Sequence, residues 1–193
     1  MTSFCLSVNS DFIDLSYSYD NDTIFWPGGE TYNHCLNVFG SGKTHYAAGT
    51  FTCAEHGGTH VDAPYHFAED GITVDVIPIN DLIAPCIVID ISDKVLITSD
   101  YLLSYDDIIT FENKYGIIEK DTIVLIKTGW HKNYQCGSQK YLGYYPKPQE
   151  DYNPETSDLS FPGIGIEASL LLLERCVKGM TFIRSFIYLS IYS

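Results

Sequence analysis

The segment covering residues 55–67 constrains the fold more than any other part of this chain. It has the sequence Glu-His-Gly-Gly-Thr-His-Val-Asp-Ala-Pro-Tyr-His-Phe and contains three of the six histidines. An α-helix is disfavoured here because Gly57 and Gly58 are poor helix formers, and Pro64 lacks the N–H that an interior helical turn uses. We therefore expect an extended or turned backbone through this segment.

The spacing of its histidines and its one aspartate predicts a metal site. His56, His60, Asp62 and His66 stand at even offsets, which place side chains on one face of an extended strand. In such a strand His56 and His60 would lie roughly 13 Å apart, too far to share one ion. The Gly-Gly pair between them tolerates a turn or bulge that brings His56 toward His60 and Asp62. Imidazole and carboxylate groups are common ligands of divalent metals, so these three residues are the predicted ligands.

His66 has a separate predicted role in this segment. Pro64 redirects the backbone, so the His66 imidazole can enter the same cavity from another side. An imidazole titrates near neutral pH and can accept and donate a proton, which predicts that His66 is the catalytic acid and base. The alternative interpretation is a cluster of polar loop residues without a shared function. The density of ligand-type side chains favours the metal site.

The segment His-Gly-Gly-Thr-His-Val-Asp-Ala-Pro-Tyr-His resembles His-x-Gly-Thr-His-x-Asp-x-Pro-x-His, the signature of the metal-dependent cyclase-like hydrolases. That family includes bacterial kynurenine formamidase and isatin hydrolase. Further similarity lies upstream, in Ile-Asp-Leu-Ser at residues 13–16 and in residues 22–28, which contain Trp-Pro-Gly. Residues 122–130 and 161–168 are similar to the family's inner strand and late loop. The resemblance extends over residues 11–179.

The resemblance implies that His56, His60 and Asp62 hold one or two divalent ions, zinc or manganese. It also implies that His66 transfers protons and that Trp26 lines the substrate pocket. A divalent ion polarises an amide carbonyl and lowers the pKa of a bound water toward about 7, which favours hydrolysis of the amide. Trp26 has a simpler alternative role, because Trp-Pro-Gly-Gly is also a good turn with an aromatic side chain lying over the core.

The predicted function is the hydrolysis of an amide, either an N-formyl group or a cyclic amide on an aromatic substrate such as N-formylkynurenine. After Gly179 the relatives continue with a strand, a His and a Glu that complete the metal site. Residues 180–193 contain no histidine and no acidic residue, which indicates a divergent or truncated C-terminal portion. This departure leaves a second hypothesis open, a catalytically impaired or inactive protein that acts by binding or dimerisation.

Two weaker alternatives concern the ligand set. His131 follows Gly129-Trp130 and is a further candidate ligand, although a surface loop is the simpler interpretation. A purely structural zinc site usually closes four ligands that often include cysteine, and no cysteine of this chain has suitable spacing. His34 and His45 lie in a polar, Gly-rich stretch and are predicted to face solvent.

The fold class predicted by the sequence is α/β. Strand patterns occur at residues 12–16, 47–53, 86–91 and 122–128. One helix is predicted to be capped by Ser99 or Asp100, to run toward Tyr115 and to end at Gly116, and a second helix is predicted at residues 166–177. A long loop is predicted at residues 141–158, and a β-rich segment from residue 180 onward. Asp106 and Asp107 are predicted to lie on a solvated helix face. The resemblance implies a mixed-sheet, β-barrel-like core with outer helices, the swivelling fold of kynurenine formamidase.

Length and charge limit the partners of the chain. Its 193 residues with 45% hydrophobic content suit one domain, residues 1–193. A net charge of −14 argues against binding to nucleic acid. The apolar tail from Met180 has 14 residues, fewer than the roughly 20 of a membrane-spanning helix. Without a signal peptide or a Cys-x-x-Cys pair, we expect a cytoplasmic protein without disulfides. The resemblance implies a small-molecule substrate and a homo-oligomer.

Overall fold

The structure, a computed structural model, describes residues 14–143 and 159–182. The strands are β1 (Asn33–Phe39), β2 (Tyr46–Thr52), β3 (Cys86–Asp90), β4 (Leu102–Leu103), β5 (Ile123–Lys127), β6 (Gly163–Ile164) and β7 (Gly179–Phe182). The α-helices are α1 (Ser92–Ile97), α2 (Tyr105–Tyr115), α3 (Ser138–Leu142) and α4 (Ile166–Glu174). The strands form an antiparallel β1–β2 hairpin, a parallel sheet in the order β3-β5-β7, and a short parallel β4–β6 pair.

Strand β5 lies at the centre of the parallel sheet and carries core on both faces. Val124 and Ile126 are fully buried in a core that includes residues of α2 and α4, such as Ile108 and Leu172. The alternate side chain Ile123 packs on the opposite face in a cluster that includes Val61. A parallel strand that is buried on both faces needs a continuous apolar run, as Ile-Val-Leu-Ile provides. The histidine-rich segment is thereby attached to the sheet through Val61.

Helix α2 begins later than the sequence predicted. Ser104 is its N-cap, and the Ser104 side chain and Asp107 form a reciprocal capping box. The preceding residues Leu102–Leu103 instead pair with β6, so the predicted cap at Ser99 or Asp100 is wrong. Gly116, with φ of 99°, ends the helix as predicted. The prediction that Asp107 faces solvent is also wrong, because it is 7% exposed, whereas Asp106 is exposed.

The predicted strands at residues 47–53, 86–91 and 122–128 are confirmed as β2, β3 and β5, with ends that differ by one residue. The strand predicted at residues 12–16 is not confirmed. Residues 14–16 form no strand, and residues 12 and 13 lie outside the described residues. Strand β1 was missed because its Asn-His-Cys-Leu-Asn-Val-Phe sequence lacks a clean apolar alternation.

Two predictions at the C-terminal end are tested only in part. The helix predicted at 166–177 is confirmed as α4 but ends at Glu174, and the chain then turns through Cys176 at φ of 53° into β7. Strand β7 confirms the start of the predicted β-rich segment. Residues 183–193, and residues 144–158 of the predicted loop, lie outside the described residues.

The α/β class is confirmed, but the barrel-like core is not found among the described residues. Their strands form three separate sheets of two or three strands, and none of these sheets closes on itself. Closure into a barrel requires a continuous ring of paired strands. Strands β4 and β6 are two residues long and pair with each other.

Residues 14–143 and 159–182 include five of the six cysteines. The five cysteines in this part of the chain form no disulfide. No helix here combines the length and the apolar composition that a membrane crossing requires. The exposed histidines include His34 and His45, as the sequence predicted.

Candidate metal centre

The start of the histidine-rich segment is held by a short backbone bridge to residues 24–26. The N–H of Trp26 donates to the carbonyl of His56 at 3.0 Å, and the N–H of Gly58 donates to the carbonyl of Ile24 at 2.9 Å. Gly58 has φ of 58°, a conformation that favours glycine. The chain therefore turns at the Gly-Gly pair, as the sequence predicted.

The four predicted site residues come together around the carboxylate of Asp62. His56 Nδ1 lies 2.8 Å from Asp62 Oδ1, and His60 Nε2 lies 3.2 Å from the same oxygen. The rings of His56 and His66 are 3.9 Å apart between centroids. One potential ligand atom from each of His56, Asp62 and His66 falls within 4.8 Å of the others. His66 is thus close enough to act as a ligand as well as a proton carrier.

The burial and the hydrogen bonding of the polar atoms in this cluster indicate whether it suits a metal ion. Asp62 is 5% exposed, and His66 is exposed. Both Asp62 carboxylate oxygens and His56 Nδ1 are buried, and among the described residues they make no hydrogen bond of good geometry, although the His56 and His60 rings lie close to Asp62 Oδ1. A buried carboxylate without hydrogen bonds is costly unless a cation compensates it. The donor atoms and their unmet hydrogen-bonding capacity therefore fit a divalent cation.

The electrostatic environment favours an ionised Asp62 and a neutral His66. Burial raises the pKa of Asp62, but the His60 ring and the charges of His56 and His66 outweigh burial and lower it. Burial lowers the pKa of His60, but the adjacent Asp62 carboxylate outweighs this effect and raises it. Burial and the neighbouring charge of His56 lower the pKa of His66. At neutral pH Asp62 is therefore ionised and His66 is neutral.

Trp26 lies at the wall of a cleft of about 740 Å³ beside this centre. Asp22 and Tyr134 are also in that wall, and none of the four predicted metal-site and catalytic residues lines it. The Trp26 ring packs edge to face against the ring of Phe161, with 6.3 Å between the ring centroids. Trp26 therefore connects the metal centre and the cleft, because its N–H donates to the carbonyl of His56 and the residue lines the cleft.

Tyr17 is a site residue that the sequence did not reveal. Its N–H donates to Thr59 Oγ1 at 3.2 Å, and its hydroxyl donates to the carbonyl of His131 at 3.1 Å. Its ring stacks on the ring of Tyr134, with 3.8 Å between the ring centroids. These partners lie 42 or more residues away along the chain, so no local pattern signals them. His131 is not in the group of potential metal ligands found among the described residues.

Comparisons with known proteins agree with this geometry. The pattern of the Cyclase family matches residues 13–182. The chain is 33% identical over 84 residues to a kynurenine formamidase of Bacillus mycoides, a match covering 44% of this chain and 40% of that enzyme. It is 35% identical over 104 residues to an isatin hydrolase of Roseibium aggregatum, a match covering 51% of this chain and 39% of that enzyme.

A solved structure gives the same result for the fold. Isatin hydrolase A from Ralstonia solanacearum superposes with a TM-score of 0.70 at 26% identity, covering 88% of this chain and 65% of that one. The chain thus spans less than two thirds of the length of each of these three relatives. Since the family pattern extends over residues 13–182 of 193, the chain belongs to the Cyclase family.

Proposed function

We propose that this chain is a metal-dependent hydrolase that cleaves an N-formyl or cyclic amide of an aromatic small molecule. The observation that carries the proposal is the convergence of His56, His60 and His66 on the buried carboxylate of Asp62. Relatives named kynurenine formamidase and isatin hydrolase support the same class of reaction. The proposed cofactor is zinc or manganese, with one or two ions per chain.

In this proposal the histidine-rich segment supplies both the ligands and the proton carrier. His56, His60 and Asp62 would hold the ion, and the two oxygens of the Asp62 carboxylate would allow a second ion to bind. When bound, the ion polarises the amide carbonyl and acidifies a water molecule. His66 is exposed, and its lowered pKa keeps it neutral, so it can take a proton from the attacking water and return it to the leaving nitrogen.

Trp26 is the proposed contact for the aromatic part of the substrate. Trp26 lines the cleft, and offset or edge-to-face aromatic contacts add about 0.5–1.5 kcal/mol beyond simple burial. Removing the ring with Trp26→Ala should raise KM more than it lowers kcat. A kcat that falls while KM is unchanged would place the substrate elsewhere.

The proposal is tested by hydrolysis of N-formyl-L-kynurenine and of isatin with the purified chain, in added zinc, added manganese or a chelator. We expect turnover that the chelator abolishes and that Asp62→Ala removes. Asp106→Ala is the matched control, because it removes an exposed aspartate of α2 outside the cluster. Equal activity of Asp62→Ala and Asp106→Ala would contradict the proposed site.

The same experiment addresses the second hypothesis from the sequence. A folded, metal-loaded chain that hydrolyses neither compound would contradict the hydrolase proposal. It would instead support a catalytically inactive member of the family that acts by binding or dimerisation. Metal content, measured separately by elemental analysis, distinguishes this outcome from a chain that has simply failed to take up its ion.

A further inference from the structure

The cleft beside the metal centre has a charge pattern that limits the ligands it can bind. The described residues that line it include two aspartates, Asp20 and Asp22, and no lysine, arginine or histidine. Its volume of about 740 Å³ lies within the range of about 300–1,000 Å³ that is typical of small-molecule sites. A ligand in this cleft therefore meets negative charge without a compensating cation.

The carboxylate of Asp22 is available to such a ligand. The N–H of Asp22 donates to Asp20 Oδ1 at 2.9 Å, and this bond joins the two residues in one turn. The Asp22 side chain itself is exposed and makes no hydrogen bond or ion pair within residues 14–143 and 159–182. A positively charged group that enters the cleft can therefore pair with Asp22 without breaking an existing contact.

Aromatic rings stand next to these carboxylates in the wall of the cleft. Tyr17, Trp26 and Tyr134 line it and are each half-buried, so that part of each side chain stays accessible. Burial raises the pKa of the Tyr134 hydroxyl, and the negative charges of Asp20 and Asp22 also raise it. Both carboxylates therefore lie close enough to Tyr134 for their charges to act on its hydroxyl. Aromatic faces attract a cation as well as a second ring.

The same wall is bonded to the histidine-rich segment. The N–H of Trp26 donates to the carbonyl of His56 at 3.0 Å, and the N–H of Tyr17 donates to Thr59 Oγ1 at 3.2 Å. A ligand held in the cleft therefore lies against residues that contact the proposed metal-binding segment directly.

We propose that the cleft binds an aromatic ring that carries an alkylammonium arm and no carboxylate. The ring packs against Trp26 and the stacked rings of Tyr17 and Tyr134, and the ammonium group pairs with Asp22 near Asp20. A carboxylate on the ligand is repelled by the same two aspartates. Together with the proposed hydrolase function, on which this last step rests, the cleft selects cationic aromatic amides over amides of the corresponding amino acids and over uncharged ones.

The first test measures binding alone, by isothermal titration calorimetry of the full chain with three ligands that share one aromatic ketone. Kynurenamine carries an ammonium arm, L-kynurenine has a carboxylate in addition, and 2-aminoacetophenone lacks the charged arm. We expect kynurenamine to bind about tenfold more tightly than the other two at low salt, and this difference to shrink at high salt. Equal affinities for the three ligands would overturn the proposal.

A charge-removing variant then tests the role of Asp22. Asp22→Asn keeps the shape of the side chain, and no hydrogen bond of that side chain to the described residues is lost. The preference for kynurenamine should fall from about tenfold to within about threefold, because one of the two carboxylates is gone. Asp106→Asn is the matched control, since Asp106 is an exposed aspartate of α2 that does not line the cleft.

The control should keep the wild-type preference, and circular dichroism verifies that both variants are folded. A preference that is unchanged in Asp22→Asn, or lost equally in the two variants, would overturn the proposal.

The second test compares the hydrolysis of the N-formyl derivatives of the same three compounds. The value of kcat/KM should be about tenfold higher for formylated kynurenamine, and Asp22→Asn should remove this advantage mainly by raising KM. Similar kcat/KM values for the three compounds would overturn the proposed selectivity and still support the hydrolase function. The expected binding preference without hydrolysis of any of the three would support the cation site in the cleft and contradict the hydrolase function.

Discussion

At the scale of single residues, the metal centre depends on a glycine that no ligand pattern singles out. A Cβ added to Gly57 would lie 2.1 Å from Cδ1 of Phe25, a buried ring that covers this glycine. The Gly-Gly pair was predicted to provide a turn, and Gly58 with its positive φ does so. Gly57 instead allows the Phe25 ring to lie close to the backbone, and no local sequence pattern predicts this contact.

Gly57→Ala should destabilise the fold by about 1–3 kcal/mol, because the methyl group forces Phe25 or the segment to move. Zinc affinity should fall roughly tenfold, since His56 is the next residue along the chain. Chemical unfolding and zinc titration measure the two effects. If the cost arises from this contact, it should largely vanish in a Phe25→Ala background. An equal cost in both backgrounds would show that the contact with Phe25 is not its source.

His66→Ala should reduce turnover on the order of 10²–10⁴-fold and leave the metal content unchanged, because the proposed ligands are His56, His60 and Asp62. His60→Ala should lose both turnover and metal. Elemental analysis combined with the amide hydrolysis assay separates the two variants. Loss of metal in His66→Ala would instead make His66 a ligand, a role that its position near His56 and Asp62 also permits.

At the scale of elements, helix α2 is fixed by a buried polar network centred on Asp107. Its carboxylate accepts hydrogen bonds from the Ser104 N–H at 2.9 Å, the Ser104 hydroxyl at 2.8 Å and the Tyr101 hydroxyl at 2.9 Å, and it pairs with Lys94. The carboxylate thus joins the start of α2 to α1. Its sequence neighbour Asp106 is exposed instead, and the sequence did not show which of the two adjacent aspartates faces the protein interior, because that depends on the rotation of the helix.

Asp107→Asn should lower stability at pH 7 by about 1–3 kcal/mol, because a charged acceptor in this network is lost. Burial raises the pKa of Asp107, but its bonds to Lys94, Ser104 and Tyr101 lower it below the ordinary 3.8. The carboxylate therefore stabilises the fold above about pH 4, and this contribution is lost as the pH falls through the lowered pKa.

Urea unfolding of the wild type and Asp107→Asn at pH 7 and near pH 3 measures this dependence. The difference in unfolding free energy should shrink at the lower pH. The exposed Asp106→Asn is the matched control and should differ little from the wild type at either pH. A difference that stays constant between the two pH values would contradict the linkage.

At the scale of the whole molecule, the parallel sheet supports the candidate metal centre from one side. Val61 lies between two proposed ligands in sequence and packs with Ile123 of β5, while the other face of β5 contacts the core that contains α2 and α4. An ion held by this segment therefore stabilises a part of the chain that is packed on the sheet. Binding to the folded state alone raises the free energy of unfolding.

Zinc at 100 times its dissociation constant should stabilise the folded chain by about 2.7 kcal/mol, and a chelator should remove this gain. Thermal unfolding with zinc and with chelator measures the shift in Tm. Asp62→Ala should show no zinc-dependent shift, because the shared carboxylate is lost. The same shift in the wild type and in Asp62→Ala would mean that zinc binds elsewhere.

The sequence by itself determined which side chains make up the candidate site and where the central strands lie. Ligand type and spacing predicted that His56, His60, Asp62 and His66 meet, and apolar runs predicted β3 and β5, because both signals are local. Only the tertiary structure decided which glycine meets the Phe25 ring, that Asp107 is buried, and that the strands form separate sheets and leave the hairpin exposed. These features depend on contacts between residues far apart in the chain, and packing rather than local preference fixes such contacts.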